Sequence, residues 1–336
     1  MIFRQLFDTT SSTYTYLIAS RAGGEALLID PVFEKTERYL KLLEELDLRL
    51  VKVVDTHVHA DHVTAMGVLR DTTNCITVMG EQSSVDVVSM RVADGEKVRI
   101  EGIELTAMYT PGHTDDSYSF SMDDRVFTGD TLLIRGTGRT DFQNGDAAHQ
   151  YDSIFNRLLK LPDNMLVYPA HDYKGDMVST IAEERANNPR LQVSSREEYI
   201  ELMNNLNLPN PKMMDVAVPE NQKMGITLDR QREVPTLDAK RLKEGAEGYL
   251  IVDLREKGER EKSGIIPGSV HAPFSYVDQH LPMLQQSGKP IVFYCAVGER
   301  STLAIGIAKA KGITDCAHIA GGYQSWLDSG GATETV

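Results

Sequence analysis

Three histidines and one aspartate fall within six consecutive positions of this chain, in the run Thr56-His57-Val58-His59-Ala60-Asp61-His62. The run follows Lys52-Val53-Val54-Asp55, which predicts a buried strand. A strand that leads directly into such a run places several nitrogen and oxygen donors at its carboxyl end. Because imidazole and carboxylate suit Zn, Fe or Mn better than Ca or Mg, the run predicts a transition-metal site. A polar loop with hydrogen-bonded histidines is the alternative, and it would be favoured for any one of these histidines alone.

Length and charge limit the classes of protein that the chain can be. Its 336 residues are enough for two domains that each bury a core. A hydrophobic content of 41% and a charged content of 25% are ordinary for a globular protein. The net charge of −14 argues against a nucleic-acid or anionic-membrane role, so an anionic substrate needs a local basic patch.

Cysteine usage and the amino terminus indicate a cellular location. The three cysteines, Cys75, Cys295 and Cys316, are odd in number and widely spaced, which predicts a reducing compartment without a disulfide framework. The first residues contain neither the apolar run of a signal peptide nor the amphipathic character of a transit peptide. No apolar run approaches membrane-spanning length. We therefore expect a cytoplasmic protein that does not act at a membrane.

Short strands and helices alternate in the first two thirds of the chain. Hydrophobic periodicity predicts strands at residues 14–18, 26–29, 51–55, 103–105, 117–122, 125–128 and 166–168. It predicts helices at residues 34–46, 64–70, 147–161, 179–187 and 195–206.

A second α/β unit follows a predicted linker at residues 226–235, where prolines and mixed charges replace apolar periodicity. A long surface loop within one domain is the alternative. Beyond it the sequence predicts helices at 237–244 and 301–311 and strands at 249–253 and 290–294. We expect residues 236–336 to form a small domain with a parallel sheet.

Further candidate metal ligands lie downstream, each at a strand end or in a turn. They are His113 in Pro111-Gly112-His113, Asp130 in Thr128-Gly129-Asp130, and His171 in Pro169-Ala170-His171. A metal site needs ligands that converge from separate loops, and this scatter fits one. The order H-x-H-x-D-H, then His, Asp and His, resembles the metallo-β-lactamase superfamily over residues 1–225. The resemblance implies an αββα sandwich.

Other segments narrow this resemblance. Three features look like those of the persulfide dioxygenases. They are the start Ile2-Phe3-Arg4-Gln5-Leu6-Phe7-Asp8, the run Gly136-Thr137-Gly138-Arg139-Thr140-Asp141-Phe142-Gln143, and Tyr173. That family implies one non-haem Fe(II) per chain, held by His57, His113 and Asp130 with positions open to O2 and substrate. The remaining candidate ligands would then lie around the iron or be remnants of a second metal site: His59, Asp61, His62 and His171.

The same resemblance offers Arg139 and Tyr173 as contacts to glutathione. Glutathione persulfide is anionic, and an acidic protein needs a placed guanidinium to bind its carboxylate through two hydrogen bonds. A structural salt bridge is the alternative role for Arg139.

A glyoxalase-II-like thioester hydrolase with two zinc ions is the second interpretation. All seven ligands of such a dinuclear site are present, so the ligand count does not decide. Two metals would hold a bridging hydroxide as the nucleophile, whereas one iron would activate O2. The segment at residues 138–143 and the attached second domain favour the dioxygenase.

The second unit carries one chemically distinctive loop, in which Cys295 stands between a predicted strand and a predicted helix. The loop continues through Ala296, Val297, Gly298, Glu299, Arg300 and Ser301. Backbone N–H groups and the positive end of the helix dipole would favour a thiolate and an anionic sulfur adduct. Gly298 lets the loop curl, and Arg300 adds positive charge. A buried apolar cysteine is the alternative, and we accept it for Cys75 and Cys316.

The sequence over residues 236–331 resembles a single rhodanese (sulfurtransferase) domain. The resemblance rests on this loop and on the segments at residues 252–255, 266–273 and 321–326. The resemblance implies a persulfide on Cys295, with Cys295 and Arg300 as catalytic residues. Cysteine phosphatases use a longer loop and are a weaker alternative. Many rhodaneses place a basic residue after the cysteine, whereas here Ala296 and Glu299 weaken attraction for a dianion. The sulfur donor therefore stays open among thiosulfate, glutathione persulfide and a protein persulfide.

Together these resemblances predict a bifunctional enzyme of sulfur metabolism. The first domain would oxidise glutathione persulfide with O2 to sulfite and glutathione. The rhodanese would move sulfane sulfur between thiosulfate, glutathione and sulfite, and we expect a homo-oligomer. The alternative from another class is a binding protein whose rhodanese module serves docking or sensing, but the intact Cys295 loop favours the enzyme.

Overall fold

The computed structural model describes residues 1–85, 88–141, 143–206, 208, 213–223 and 228–336. These residues divide into two compact units. The first comprises Met1–Thr73, Thr77–Val85 and Arg91–Lys223, and the second comprises Asn74–Ile76, residues 88–90 and residues 228–336. Among the described residues, no helix is both long enough and apolar enough to cross a bilayer.

The first unit contains two six-stranded sheets, each with its strands in sequence order. One sheet is formed by β1 (Ile2–Asp8), β2 (Thr13–Ala19), β3 (Glu25–Ile29), β4 (Arg49–Val54), β5 (Ile76–Gly80) and β6 (Met90–Val92). The other is formed by β7 (Lys97–Ile100), β8 (Ile103–Tyr109), β9 (Tyr118–Ser121), β10 (Arg125–Gly129), β11 (Leu166–Pro169) and β12 (Ser179–Thr180). Pairing is parallel between β3 and β4 and between β10 and β11.

Aromatic rings from both sheets meet in one cluster: Phe3, Tyr16, Phe127 and Tyr168. Successive side chains of a strand point to opposite faces. Val126 and Val167, next to two of these aromatics, therefore point away and join an apolar cluster with helical residues such as Ile154 and Tyr199. The second sheet is thus buried on both faces.

Among the residues that the structure describes, six helices accompany these sheets: α1 (Thr36–Glu45), α2 (Met66–Thr73), α3 (Ala147–Phe155), α4 (Ile181–Asn187), α5 (Arg196–Asn204) and α6 (Met214–Gln222). Two of the differences from the helices predicted by periodicity have a clear physical cause. The helix predicted over 147–161 ends at Phe155, because Arg157 leaves helical backbone angles and its guanidinium hydrogen bonds to Tyr109 and Asp94. The helix predicted from 179 begins at Ile181, because Ser179 pairs with Val167 and Thr180 caps α4.

The second unit contains a four-stranded parallel sheet in the order β14-β13-β15-β16. Its strands are β13 (Leu250–Asp253), β14 (Val270–His271), β15 (Ile291–Tyr294) and β16 (Cys316–His318). Its helices are α7 (Leu228–Arg232), α8 (Ala239–Gly245), α9 (Lys257–Ser263), α10 (Val277–Gln285), α11 (Glu299–Ala310) and α12 (Gly322–Asp328). The predicted parallel sheet is confirmed, with two short strands that periodicity did not show.

The predicted linker falls partly on residues 226 and 227, which lie outside the described residues. The rest of it is more ordered than its composition indicates. Residues 228–232 form α7, and Gln231 is buried. The polar composition hid this helix, since its buried contact is a hydrogen-bonding side chain rather than an apolar one.

Candidate metal centre and cysteine loop

The three predicted iron ligands come together from three separate loops. His57 follows β4, His113 follows β8, and Asp130 follows β10. One potential ligand atom from each lies within 4.8 Å of the others, and the Nε2 atom of His113 is 3.5 Å from Oδ2 of Asp130. All three side chains are largely buried. Two imidazoles and one carboxylate at this spacing fit a single transition-metal ion.

Hydrogen bonds orient both imidazoles of this group. The Thr56 hydroxyl donates to Asp30 at 3.0 Å, so its oxygen accepts from Nδ1 of His57 at 2.9 Å. The Nδ1 atom of His113 donates to the carbonyl oxygen of Arg139 at 2.7 Å. Each ring thus carries its proton on Nδ1, and the lone pair of its Nε2 atom is available to a metal.

The charge state of the group also suits a cation. Burial, with added repulsion from the neighbouring histidines, holds the pKa of His57 well below its usual value, so the imidazole is neutral. Burial alone would raise the pKa of Asp130, but His171, His113 and His57 hold it well below its usual range. Metal binding requires a neutral imidazole and an ionised carboxylate.

Gly138 allows the segment after Asp130 to lie against the site. A Cβ atom at this position would come within 2.2 Å of the Asp130 carbonyl oxygen and 2.7 Å of Nδ1 of His113. The Gly138 N–H donates to that same carbonyl at 2.7 Å. Any side chain here would displace one ligand, which gives a physical reason for the glycine.

A second group of potential ligands lies beside the first, formed by His59, Asp61 and His62. Within the described part of the chain, His59 Nδ1 and His62 Nε2 are buried without a hydrogen-bond partner. His171 links the two groups, since its Nδ1 lies 2.6 Å from Asp130 and its Nε2 lies 2.7 Å from Asp61. All seven predicted positions are therefore adjacent, and the orphaned nitrogens are chemically able to bind a second metal.

The His171 ring lies between two carboxylates that affect its charge. Burial alone would lower the pKa of His171, but Asp130 and Asp61 raise it well above its usual value. A protonated His171 donates to both carboxylates and has no lone pair for a metal.

Arg139 and Tyr173 both adjoin the metal group. The Arg139 guanidinium forms two hydrogen bonds with Asp141, at 2.5 and 2.6 Å, and a third with the Leu208 carbonyl. The Tyr173 side chain is 70% exposed, and its ring lies parallel to that of His171 with centroids 6.1 Å apart. The salt bridge weighed for Arg139 is present, with an exposed carboxylate as its partner.

Sequence reasoning missed Asn221, which lies in α6. Its Nδ2 atom donates to the carbonyl oxygens of His59 and His62, at 2.9 and 3.0 Å. Its Oδ1 atom accepts from Thr64 N–H at 2.9 Å. A buried amide thus holds the loop that carries the histidine run. Nothing in the run itself indicates a partner 159 positions away from His62.

In the second unit, Cys295 directly follows β15 and is 1% exposed. Gly298 adopts a φ of +97° and caps α11, and its N–H donates to the Cys295 sulfur at 3.1 Å. The Ser301 hydroxyl lies 3.9 Å from the same sulfur. The loop therefore curls around the sulfur as its glycine predicts, with a backbone donor and the positive end of α11 directed at it.

The Arg300 side chain is paired with a carboxylate, whereas the sequence predicted that it adds positive charge to the loop. Its buried guanidinium forms two hydrogen bonds with Glu259 of α9, at 2.8 and 2.7 Å. Burial alone would lower the pKa of Arg300, but Glu259 raises it. Glu299 is buried too, whereas Ala296 is half-buried and Val297 is exposed. A catalytic role for Arg300 stays a prediction.

Family models match both units. The description "Metallo-beta-lactamase superfamily" matches residues 8–85 and 80–171, and "Rhodanese-like domain" matches residues 238–329. The mouse protein named "Persulfide dioxygenase ETHE1, mitochondrial" is 46% identical over 229 residues, which cover 67% of this chain and 89% of that protein. The chain belongs to the persulfide dioxygenase family. The predicted fusion of a dioxygenase-family domain with a rhodanese-like domain is confirmed.

Solved structures agree with this assignment. The crystal structure of ETHE1 from Myxococcus xanthus is 55% identical, covers 66% of this chain and 98% of its own, and superposes with a TM-score of 0.65. A metallo-β-lactamase from Staphylococcus aureus covers 96% of this chain and 97% of its own with a TM-score of 0.62, and its 22% identity indicates the fold alone. Family membership and the His/Asp group together indicate a metal cofactor in the persulfide dioxygenase domain.

Proposed function

We propose that the first domain oxidises glutathione persulfide with O2 at one Fe(II) ion, releasing sulfite and glutathione. The observation that carries this proposal is the buried group of His57, His113 and Asp130. Two imidazoles and one carboxylate form the ligand set typical of non-haem Fe(II) oxygenases. The name of the mouse relative gives the reaction class.

The overall reaction balances without a further co-reactant. Glutathione persulfide, O2 and water give glutathione, sulfite and two protons, so the outer sulfur is oxidised and O2 is reduced. Ferrous iron supplies the redox chemistry and the open positions when it is bound. The protein residues fix the two imidazole rings and keep Asp130 ionised.

Arg139 and Tyr173 would bind the glutathione part of the substrate. Arg139 pairs with a carboxylate, that of Asp141, whose side chain is half-exposed, so a substrate carboxylate can compete with Asp141 for the same guanidinium. The exposed Tyr173 ring offers an apolar face with a polar tip at the edge of the site.

The rhodanese-like domain would carry sulfane sulfur on Cys295. The N–H of Gly298 and the start of α11 would hold a charged outer sulfur on this residue. Transfer would run between thiosulfate, glutathione and sulfite, and glutathione persulfide is the compound that the two domains share.

Replacing Cys295 with Ser tests this division of labour. We expect Cys295→Ser to retain sulfite production from glutathione persulfide and to lose sulfite production from thiosulfate plus glutathione. Equal loss of both activities would contradict independent sites. Failure of Cys295 to gain a sulfur atom from any donor would instead favour docking or sensing as the role of the domain.

The group formed by His59, Asp61 and His62 favours one other candidate, a hydrolase with two zinc ions. Metal quantification after purification separates the two. One iron per chain supports the dioxygenase, whereas two zinc ions per chain without O2 uptake would replace it with the hydrolase.

A further inference from the structure

A line of hydrogen-bonding groups runs from the Cys295 sulfur into the interior of the rhodanese-like unit. The Ser301 hydroxyl lies 3.9 Å from the sulfur and 3.0 Å from Nδ1 of His318. The Nε2 atom of His318 lies 2.8 Å from the carbonyl oxygen of Gln231. All four residues are buried. The line joins the loop, α11, β16 and α7, and no residue in it beyond the loop was expected to serve the site.

The carbonyl of Gln231 decides which nitrogen of His318 carries the proton. A carbonyl oxygen can only accept, so Nε2 of His318 donates to it. In a neutral imidazole, Nδ1 then has a free lone pair that can accept from the Ser301 hydroxyl, which also lies 3.0 Å from the carbonyl oxygen of Gly298. Burial lowers the pKa of His318, which supports the neutral form. Ser301 can therefore pass its own proton inward while its oxygen receives one from the Cys295 thiol.

Other titratable groups around this line are already engaged. Arg300 of α11 is bound to Glu259 of α9 through two hydrogen bonds, and an arginine is not a base. Glu299 of α11 is buried and accepts a hydrogen bond from the Ser89 hydroxyl at 2.7 Å. Within the described residues, His318 is the neutral base that a hydroxyl connects to the sulfur.

We propose that Ser301 and His318 form a proton relay for Cys295. Ser301 contacts the reacting sulfur, and His318 is a positioning residue that acts through Ser301, with its tautomer set by Gln231. This inference rests on the sulfurtransferase function proposed above and names the residues that manage its proton.

The relay accounts for each proton and electron pair in sulfur transfer. The Cys295 thiol gives its proton to Ser301, and Ser301 gives its own to Nδ1 of His318. The freed sulfur lone pair forms the new S–S bond to the outer sulfur of the donor. The old S–S bond breaks, and its electron pair leaves with sulfite when the donor is thiosulfate. When an acceptor thiolate later removes the outer sulfur, Cys295 departs as a thiolate and recovers the proton by the same route.

The test measures the rate at which Cys295 in the full chain gains one sulfur atom. The rate is measured in a single turnover at several pH values, by intact-protein mass spectrometry. Thiosulfate and glutathione persulfide serve as separate donors. We expect Ser301→Ala and His318→Asn to load at least about tenfold more slowly at neutral pH, since general acid–base groups typically contribute 10²- to 10⁴-fold. The deficit should shrink at alkaline pH, where hydroxide from solvent removes the thiol proton without the relay. Ser301→Thr keeps the hydroxyl and should load at close to the parent rate.

A second readout covers variants with a disturbed fold. The rate of Cys295 alkylation by iodoacetamide, followed by peptide mapping, should show the same pH-dependent deficit in both variants. A deficit of equal size at every pH, or no deficit, would overturn the relay and leave the sulfurtransferase function standing. If the parent chain gains no sulfur from either donor, the proposed function fails and the relay fails with it.

Discussion

The Nδ1 atom of His113 donates a 2.7 Å hydrogen bond to the carbonyl oxygen of Arg139. The residue proposed to bind the substrate with its side chain thus orients a proposed iron ligand with its backbone. Because a side-chain substitution leaves the carbonyl in place, the two roles can be separated by mutation.

Replacing Arg139 with Gln should weaken substrate binding without removing the metal. A hydrogen bond to a charged group contributes about 1.5–3 kcal/mol, so we expect the KM for glutathione persulfide to rise about 10- to 100-fold. Steady-state O2 uptake measures KM, and iron quantification on the same sample should give parent-like content. Asp141→Asn is the matched control: it releases the guanidinium, so its KM should stay the same or fall. Iron loss in Arg139→Gln would contradict the separation.

Two histidines of the same run should differ in their effect on metal content. His57→Asn removes a proposed iron ligand and should abolish iron binding, as measured by elemental analysis. His62→Asn removes only a residue of the neighbouring group, so the iron content should remain near that of the parent chain. Comparable metal loss in both variants would indicate that the site uses both groups.

Removal of the Asn221 amide should loosen the histidine loop. Asn221→Ala leaves two carbonyl groups and one N–H without their partner, and a buried unsatisfied group costs about 1–3 kcal/mol. We expect the free energy of unfolding to fall by about 2–3 kcal/mol in urea titrations, together with weaker metal retention against a chelator. Gln222→Ala changes the next, exposed residue of α6 and should have little effect. If both variants behave alike, Asn221 does not hold the loop.

Asp8, at the end of β1, should make stability depend on pH at the acid end. Burial alone would raise the pKa of Asp8, but hydrogen bonds from Ser11 and Lys35 lower it to about 2, from 3.8. A lowered carboxyl pKa stabilises the fold above about pH 4, and this contribution is lost as the pH falls towards 2. Allowing for solvent screening, Asp8→Asn should reduce the unfolding free energy by about 1 kcal/mol at neutral pH and by almost nothing near pH 2. Urea unfolding at several pH values measures this difference, and a constant difference across the range would contradict the account.

The candidate metal ligands could be found in the sequence because each follows an apolar strand, whereas the choice of three of them as iron ligands came from the family resemblance. His57, His113 and Asp130 stand directly after such runs or in the turn that follows, and strands of packed sheets bring their ends together. Cys295 was predictable for the same reason, since a strand, a glycine and a helix surround it in sequence. These motifs consist of residues that are neighbours in the chain, so a single sequence is enough to show them.

The supporting residues could not be predicted, because their partners lie far away in sequence. Asn221 stands in a stretch whose apolar periodicity fades, and only the folded chain brings its amide to the histidine loop. Gln231 belongs to a segment with the composition of a linker, and His318 is an isolated histidine on a short strand. Arg300 was found by its position, but its pairing with Glu259 depends on how α9 packs.

O2 consumption by the purified chain with glutathione persulfide, run beside iron quantification, tests the central claim most directly. The account predicts O2 uptake and sulfite release in equal amounts, in proportion to an iron content of one per chain, and loss of both in Asp130→Asn. Two zinc ions per chain with no O2 uptake would contradict it.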